Sequence, residues 1–275
     1  MPKKERDTNE LPSALERIDS IRRNLTDQKS IGVFLDYDGT LTPIVERPED
    51  AVISDRMQDI VKRLAARCVV AVISGRDLKD VRDRMGLEDI YYSGSHGFEI
   101  AGPRNWYEEY PEAKAFLPVL DRTEEELHCS LDRISGLQVE RKRYSIAVHY
   151  RRASEKNRRE LEKRMPAFKE EYAEQLRLSS GKCVYDFQPK IDWHKGKALH
   201  RILESAFKNP GNVFSIYIGD DITDEDAFRE IRDSGTGIVV RDESRSTLAD
   251  YALESPDEAS LFLESLTPYL GTIRL

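Results

Sequence analysis

Apolar residues gather in short runs that stop abruptly at polar chemistry. Ile31–Leu35 contains no polar side chain and ends at Asp36. Cys68–Ile73, Val213–Ile218 and Thr236–Val240 are further runs of mainly apolar residues, and Ile90–Ser93 is a shorter candidate. Runs of this length predict buried strands. The stretches Asp55–Arg67, Asp77–Met85, Lys195–Phe207, Asp224–Ile231 and Pro256–Leu266 predict helices. Strand and helix in alternation imply parallel pairing with helical crossovers. Ahead of them, Leu11, Leu15, Ile18, Ile21 and Leu25 recur at three- and four-residue spacing, which predicts a helix within residues 1–28.

The pattern changes between Trp106 and Phe187. Helices are expected over Glu112–Ile134 and Ser154–Gln175. Strands are expected at Leu137–Lys142, Ser145–Tyr150, Leu176–Ser179 and Lys182–Phe187, with Ser180-Gly181 as the hairpin turn of the last pair. These strands alternate polar and apolar residues, as in a sheet with one wet face. The expectation is an α/β protein: a doubly wound parallel-sheet core, residues 1–104 with 189–275, and an inserted α/β domain, residues 105–188.

Composition narrows the classes. Of 275 residues, 39% are hydrophobic and 34% charged, and the formal net charge is −8. An acidic surface argues against a nucleic-acid partner. The apolar runs fall far short of the roughly 20 residues a membrane helix needs, and residues 1–10 lack the apolar core of an export signal. Cys68, Cys129 and Cys183 are odd in number and form no C-x-x-C pair, so neither a disulfide framework nor a zinc site is expected. A cytoplasmic monomer is the expectation. A phosphorylated substrate would need a locally positive site within this acidic protein.

Candidate chemistry sits at the strand ends. Asp36-Tyr37-Asp38-Gly39-Thr40 follows the first run, where ligands bind in an open parallel sheet. Two close carboxylates suit a hard cation such as Mg²⁺. An EF-hand loop is excluded, because Leu41 and Arg47 stand where it needs glycine and glutamate. Gly219-Asp220-Asp221-Ile222-Thr223-Asp224-Glu225 puts a second acidic cluster at the same edge. The two clusters would repel each other without a cation between them, although Asp224 also reads as a helix cap. Ser74-Gly75-Arg76 offers a hydroxyl and loop amides to a phosphate oxygen. Lys195-Gly196-Lys197 opens a helix, where a lysine is favourable only with an anion in front of it. No G-x-x-x-x-G-K-[ST] loop or G-x-G-x-x-G turn is present. Ser93-Gly94-Ser95-His96-Gly97 lacks the first glycine of a hydrolase nucleophile elbow.

Together, Asp36–Thr40, Ser74, Lys195 and Gly219–Asp224 resemble the motifs of the haloacid dehalogenase superfamily of phosphatases. Gly94-Ser95-His96-Gly97, Glu140-Arg141-Lys142, Ser145 through Arg151, and Gly219 through Phe228 resemble its trehalose-6-phosphate phosphatase family. That resemblance implies an inserted cap over the active site and Mg²⁺-dependent hydrolysis of trehalose 6-phosphate through an aspartyl-phosphate. Asp36 is then the nucleophile and Asp38 the general acid and base. Lys195 and Ser74 bind phosphate, with Gly75 and Arg76 beside them. The metal is held by Asp36, the backbone carbonyl of Asp38 and Asp220, with Asp221 or Asp224 joining through water. His96 on the core rim and Glu140, Lys142, His149, Arg151 and Asp186 in the cap are the candidate sugar contacts. One departure stands out: the family pattern Glu-x-Arg/Lys-Pro reads Asp186-Phe187-Gln188-Pro189 here. Another sugar phosphate as substrate, or a non-catalytic module, are the alternatives.

Overall fold

A computed structural model of the chain describes residues 5–26, 28 and 30–270. The chain divides into two compact units, one running to Glu108 and resuming at Trp193, the other spanning Glu109–Asp192.

The first unit opens with β1 (Arg6–Asp7) and α1 (Ile18–Thr26). It continues through β2 (Ile31–Leu35), α2 (Asp55–Ala65), β3 (Val69–Ile73), α3 (Leu78–Met85), β4 (Tyr91–Gly94), β5 (Glu99–Gly102) and β6 (Trp106–Glu109). The second unit holds α4 (Leu117–Leu131), β7 (Gln138–Lys142), β8 (Ser145–His149), α5 (Glu155–Glu171), β9 (Leu176–Gly181) and β10 (Val184–Pro189). The chain then returns with α6 (Lys195–Ala206), β11 (Phe214–Gly219), α7 (Glu225–Glu230), β12 (Gly235–Val240), β13 (Ser246–Thr247), β14 (Tyr251–Leu253) and α8 (Pro256–Leu266).

Among the described residues, the main sheet has eight strands in the order β14-β12-β11-β2-β3-β4-β5-β6. The pairings from β14 through β4 are parallel, and β5 adds antiparallel to β4. Apolar side chains cover both faces, as a parallel sheet between helices requires. Val33, Leu35, Val70 and Val72 pack into one core with Met57, Ile60, Val61 and Leu64 of α2. Phe34, Ala71 and Ile73 pack into the other with Leu199 and Ile202 of α6. The burial of α2 at positions 57, 60, 61 and 64 is one helical stripe, and Ser54 caps that helix by accepting from the Met57 N–H at 3.2 Å.

The second unit is an antiparallel sheet in the order β7-β8-β10-β9. Ile146, Val148 and Phe187 face a core shared with Leu120, Leu127 and Leu161 of the two helices. Glu109 anchors one end of this unit. Its carboxylate accepts from Lys114 at 2.6 Å and from the Arg143 Nε at 2.9 Å, and also bonds the Tyr144 hydroxyl.

Three sequence expectations change. The N-terminal helix covers only Ile18–Thr26; residues 1–4 and 27 lie outside the described residues. Pro12 interrupts the helical pattern, and the chain there runs beside β14, with the Ala14 N–H on the Ala252 carbonyl at 2.8 Å. The cap hairpin turns at Lys182-Cys183, since Val184 pairs with Gly181 and Cys183 takes a positive φ of 62°. Strands β5 and β6 extend the main sheet where no strand was expected, so the compact units divide about four residues after the expected boundaries at each end. Among the described residues, no helix is long and apolar enough to cross a membrane, and the three cysteines form no disulfide.

Burial alone would raise the Glu109 pKa, but its hydrogen bonds from Lys114, Tyr144 and Arg143 pull it down to about 2. A depressed carboxylate stabilises the fold above its unfolded pKa and loses that contribution as pH falls toward 2. Glu109→Gln is expected to cost about 1.5–3 kcal/mol at neutral pH, in urea unfolding followed by circular dichroism. The gap to the wild type should narrow as pH falls below the unfolded value of 4.5 and close toward pH 2; a gap independent of pH would contradict this role.

Candidate active site

Strands β2, β3, β4 and β11 end side by side, and their C-terminal turns carry the candidate residues. Asp36 follows β2 in line, with its N–H still on the Ile218 carbonyl of β11 at 2.9 Å. Its side chain is therefore carried to the sheet edge. Gly39 then turns the chain with φ +78°, and a Cβ there would lie 2.0 Å from Asp220 Oδ2. Only glycine at this turn lets the Asp220 carboxylate come against the β2 loop.

Asp36, Asp220 and Asp224 are buried, and each offers a carboxylate oxygen within 4.8 Å of the other two. Lys195, at the start of α6, places its Nζ 3.1 Å from Asp36 Oδ1 and 2.7 Å from Asp224 Oδ1. Two carboxylates flank this one ammonium, and Asp220 lies in the same group. Burial drives the Asp36 pKa well up; the Lys195 charge opposes this, while Asp224, Asp220 and Asp38 add to it. Burial disfavours the charge on Lys195, but Asp224 and Asp36 outweigh it and raise its pKa, so the ammonium stays protonated.

Asp224 has both oxygens engaged. Oδ2 accepts from the backbone N–H of Asp220 and of Asp221, each at 3.0 Å, and Oδ1 accepts from Lys195 and from the Tyr217 hydroxyl at 2.6 Å. Gly219 makes room, since a Cβ there would lie 2.3 Å from Asp224 Cγ. Asp224 thus folds the acidic turn onto itself and aims Lys195 at Asp36. The Asp221 carboxylate points back to its own turn, accepting from the Ile222 N–H at 2.8 Å. The converging carboxylates are Asp36, Asp220 and Asp224.

Asp38 faces the other way. Its two oxygens accept from Arg76 Nε and Nη2, both at 2.7 Å, in a bidentate fork. Arg76 is itself fixed by Asp80 at 2.8 Å and by the Pro48 carbonyl at 2.8 Å. Arg84 holds Asp80 in turn. Arg76, expected beside the phosphate, donates to Asp38, Asp80 and the Pro48 carbonyl. Ser74 is buried next to it, its Oγ accepting from the Arg76 N–H at 3.1 Å. The His96 ring lies against Gly75, and the His96 N–H bonds the Ser74 carbonyl at 3.1 Å. His96 is thereby tied to the serine loop.

In the second unit, Glu140 and Lys142 of β7, His149 of β8 and Asp186 and Gln188 of β10 share the face opposite the helices, by alternation from the core-facing Val139, Val148 and Phe187. His149 Nε2 meets Glu140 Oε2 at 2.7 Å. Gln188 donates to Asp186 Oδ2 at 2.7 Å and accepts from Arg177 of β9 at 2.8 Å. A positive charge thus reaches the Asp186 pair from the neighbouring strand. Arg151 departs from its expected place: its guanidinium donates to the Lys182 carbonyl at 2.9 Å, bracing the hairpin turn.

The family model for trehalose-phosphatase matches residues 34–257. The chain is 39% identical over 274 residues to a probable trehalose-phosphate phosphatase H of Arabidopsis thaliana, covering 94% of this chain and 78% of that one. It is 39% identical to a trehalose-phosphate phosphatase of Mycobacterium tuberculosis, covering 97% and 68%. The chain belongs to the trehalose-phosphatase family. The C-terminal domain of the Candida albicans trehalose-6-phosphate phosphatase superposes with a TM-score of 0.82 at 25% identity, covering 94% of this chain and 98% of that one. Haloacid dehalogenase-like architecture follows for this family member: a mainly parallel sheet with a separate antiparallel sheet.

Sequence reasoning missed Tyr217, Asp80 and Arg177. Each lies inside a strand or helix with nothing local to mark it. Asp224 shows the cost of breaking such a set, because an asparagine cannot accept at both ends. Asp224→Asn is expected to destabilise the fold by about 3–5 kcal/mol, as for a broken buried ion pair, measured by urea unfolding. A loss under 1 kcal/mol would mean that the Asp224 network is dispensable.

Proposed function

We propose that this protein hydrolyses trehalose 6-phosphate to trehalose and phosphate, with Asp36 as nucleophile, as the final step of trehalose formation. The observation that carries the reading is the Lys195 ammonium set between Asp36 and Asp224 at the sheet edge, in a chain of the trehalose-phosphatase family.

The carboxylate cluster fits a divalent cation. Its donors are all oxygen, which suits a hard ion such as Mg²⁺ over a softer one. It is buried, and Lys195 is the ammonium set against its carboxylates. Asp36 and Asp220 would hold the ion, with the Asp38 backbone carbonyl. When bound, Mg²⁺ would offset the charge of the cluster and of a phosphate oxygen.

Asp36 attacks phosphorus, the bond from phosphorus to the sugar oxygen breaks, and the phosphoryl group passes to Asp36 as an aspartyl-phosphate. Asp38 gives a proton to the departing sugar oxygen, turning from the Arg76 fork to do so. It then takes a proton from the water that cleaves the aspartyl-phosphate, which returns Asp36 and releases phosphate. Lys195 and the Ser74 hydroxyl hold the phosphate oxygens and balance their charge. Glu140, Lys142, His149 and Asp186 pair with sugar hydroxyls, which gives discrimination because an unpaired buried partner costs about 1–3 kcal/mol. The protein acts as a cytoplasmic monomer.

Turnover of trehalose 6-phosphate, glucose 6-phosphate and an aryl phosphate tests the reading. The disaccharide should be preferred, and EDTA should abolish activity on all three. Asp38→Asn should lose far more activity on the sugar phosphates than on the aryl phosphate, whose leaving group needs less help from an acid. Equal turnover of the two sugars would contradict the substrate, full activity in EDTA the metal, and equal losses in Asp38→Asn the proton donor.

A further inference from the structure

The turn that carries Asp220 is braced from outside the catalytic strands. Arg245 lies in the segment between β12 and β13, and its side chain is 15% exposed. Its Nη2 donates to the Asp220 backbone carbonyl at 3.1 Å, and its Nη1 pairs with Glu225 at 2.5 Å. The other Glu225 oxygen accepts from the Leu248 N–H at 2.8 Å. Both ends of the turn from Asp220 to Glu225 are therefore tied to residues 245–248.

That segment is pinned in turn by the N-terminus. The Thr8 N–H bonds the Arg245 carbonyl at 2.9 Å, and the Arg245 N–H bonds Thr8 Oγ1 at 3.2 Å. The Thr8 hydroxyl donates to the Glu243 carbonyl at 2.9 Å. Arg241 reaches back to the Thr8 carbonyl at 2.9 Å, and β1 pairs with β13. Thr8 is 1% exposed. A strand of two residues has little stability of its own, yet its contacts converge on the residue that holds Asp220.

We propose that Arg245, seated by Thr8 and the N-terminal strand, is a positioning residue for the cation site. It fixes the Asp220 carbonyl, and with it the direction of the Asp220 carboxylate that Gly39 admits to the cluster. Preorganised ligands hold a cation more tightly than mobile ones, because the ordering is done before binding. Arg245 and Thr8 thus set cation affinity without touching the ion. The inference rests on assigning the carboxylate cluster to a divalent cation.

The test is Mn²⁺ titration of the full chain followed by electron paramagnetic resonance. Arg245→Ala is expected to raise the Mn²⁺ dissociation constant about tenfold, and Thr8→Val by about threefold, on the scale of changes behind a metal ligand. Arg245→Lys should recover part of the loss, and excess Mg²⁺ should restore turnover to the variants. Thr8→Val keeps the side-chain shape, so it decides the matter if Arg245→Ala does not fold. Wild-type affinity in either folded variant would overturn the brace. A wild-type chain that binds no Mn²⁺ would instead overturn the cation assignment beneath it.

Discussion

The Lys195 ammonium lies between Asp36 and Asp224, in a buried space that Asp220 also enters. Three carboxylates and one ammonium in one group leave an excess of negative charge away from water, and folding gains little from such an arrangement. Burial drives the Asp36 pKa well up; Lys195 opposes this, and the acidic neighbours add to it. Much of the surrounding architecture exists to keep these groups together. Gly39 and Gly219 withhold the Cβ atoms that would push Asp220 and Asp224 away. Tyr217 and two backbone amides absorb the charge of Asp224.

Three aspartates at the sheet edge are used differently. Asp224 is spent internally, as the anchor of its turn and the partner of Lys195. Asp36 keeps Lys195 as its charged neighbour at 3.1 Å. Asp38 is drawn aside by Arg76, whose planar fork matches a carboxylate at both oxygens. Asp36 and Asp38 are thus held by different partners on different loops.

The sheet and the strand-end motifs were legible because burial writes itself into the sequence as apolar runs, and each run stops where chemistry begins at Asp36, Ser74 and Gly219. The cap sheet was legible from its alternation of polar and apolar positions. What stayed hidden depends on contacts between distant residues. Asp224 reads as a helix cap, and nothing near it announces Lys195 or Tyr217. Arg76 beside Ser74 looks like a phosphate contact until Asp80, four residues on, is seen to share its guanidinium. The spacing of Leu11, Leu15 and Ile18 suits a helix, yet Leu11 packs into one core and Ile21 into the other, which one continuous helix would not do. Gln188 departs from the family pattern in sequence, but Arg177 across the hairpin supplies a charge to the same pair.

The central claim is that Asp36 carries the phosphoryl group. Trehalose 6-phosphate labelled with ³²P in its phosphate should be mixed with excess protein and Mg²⁺, quenched in acid within milliseconds, and the protein digested. The account predicts label, labile to base, on the peptide containing Asp36 and none in an Asp36→Asn chain. Rapid turnover with no protein-bound label at any quench time, or label on another peptide, would contradict it.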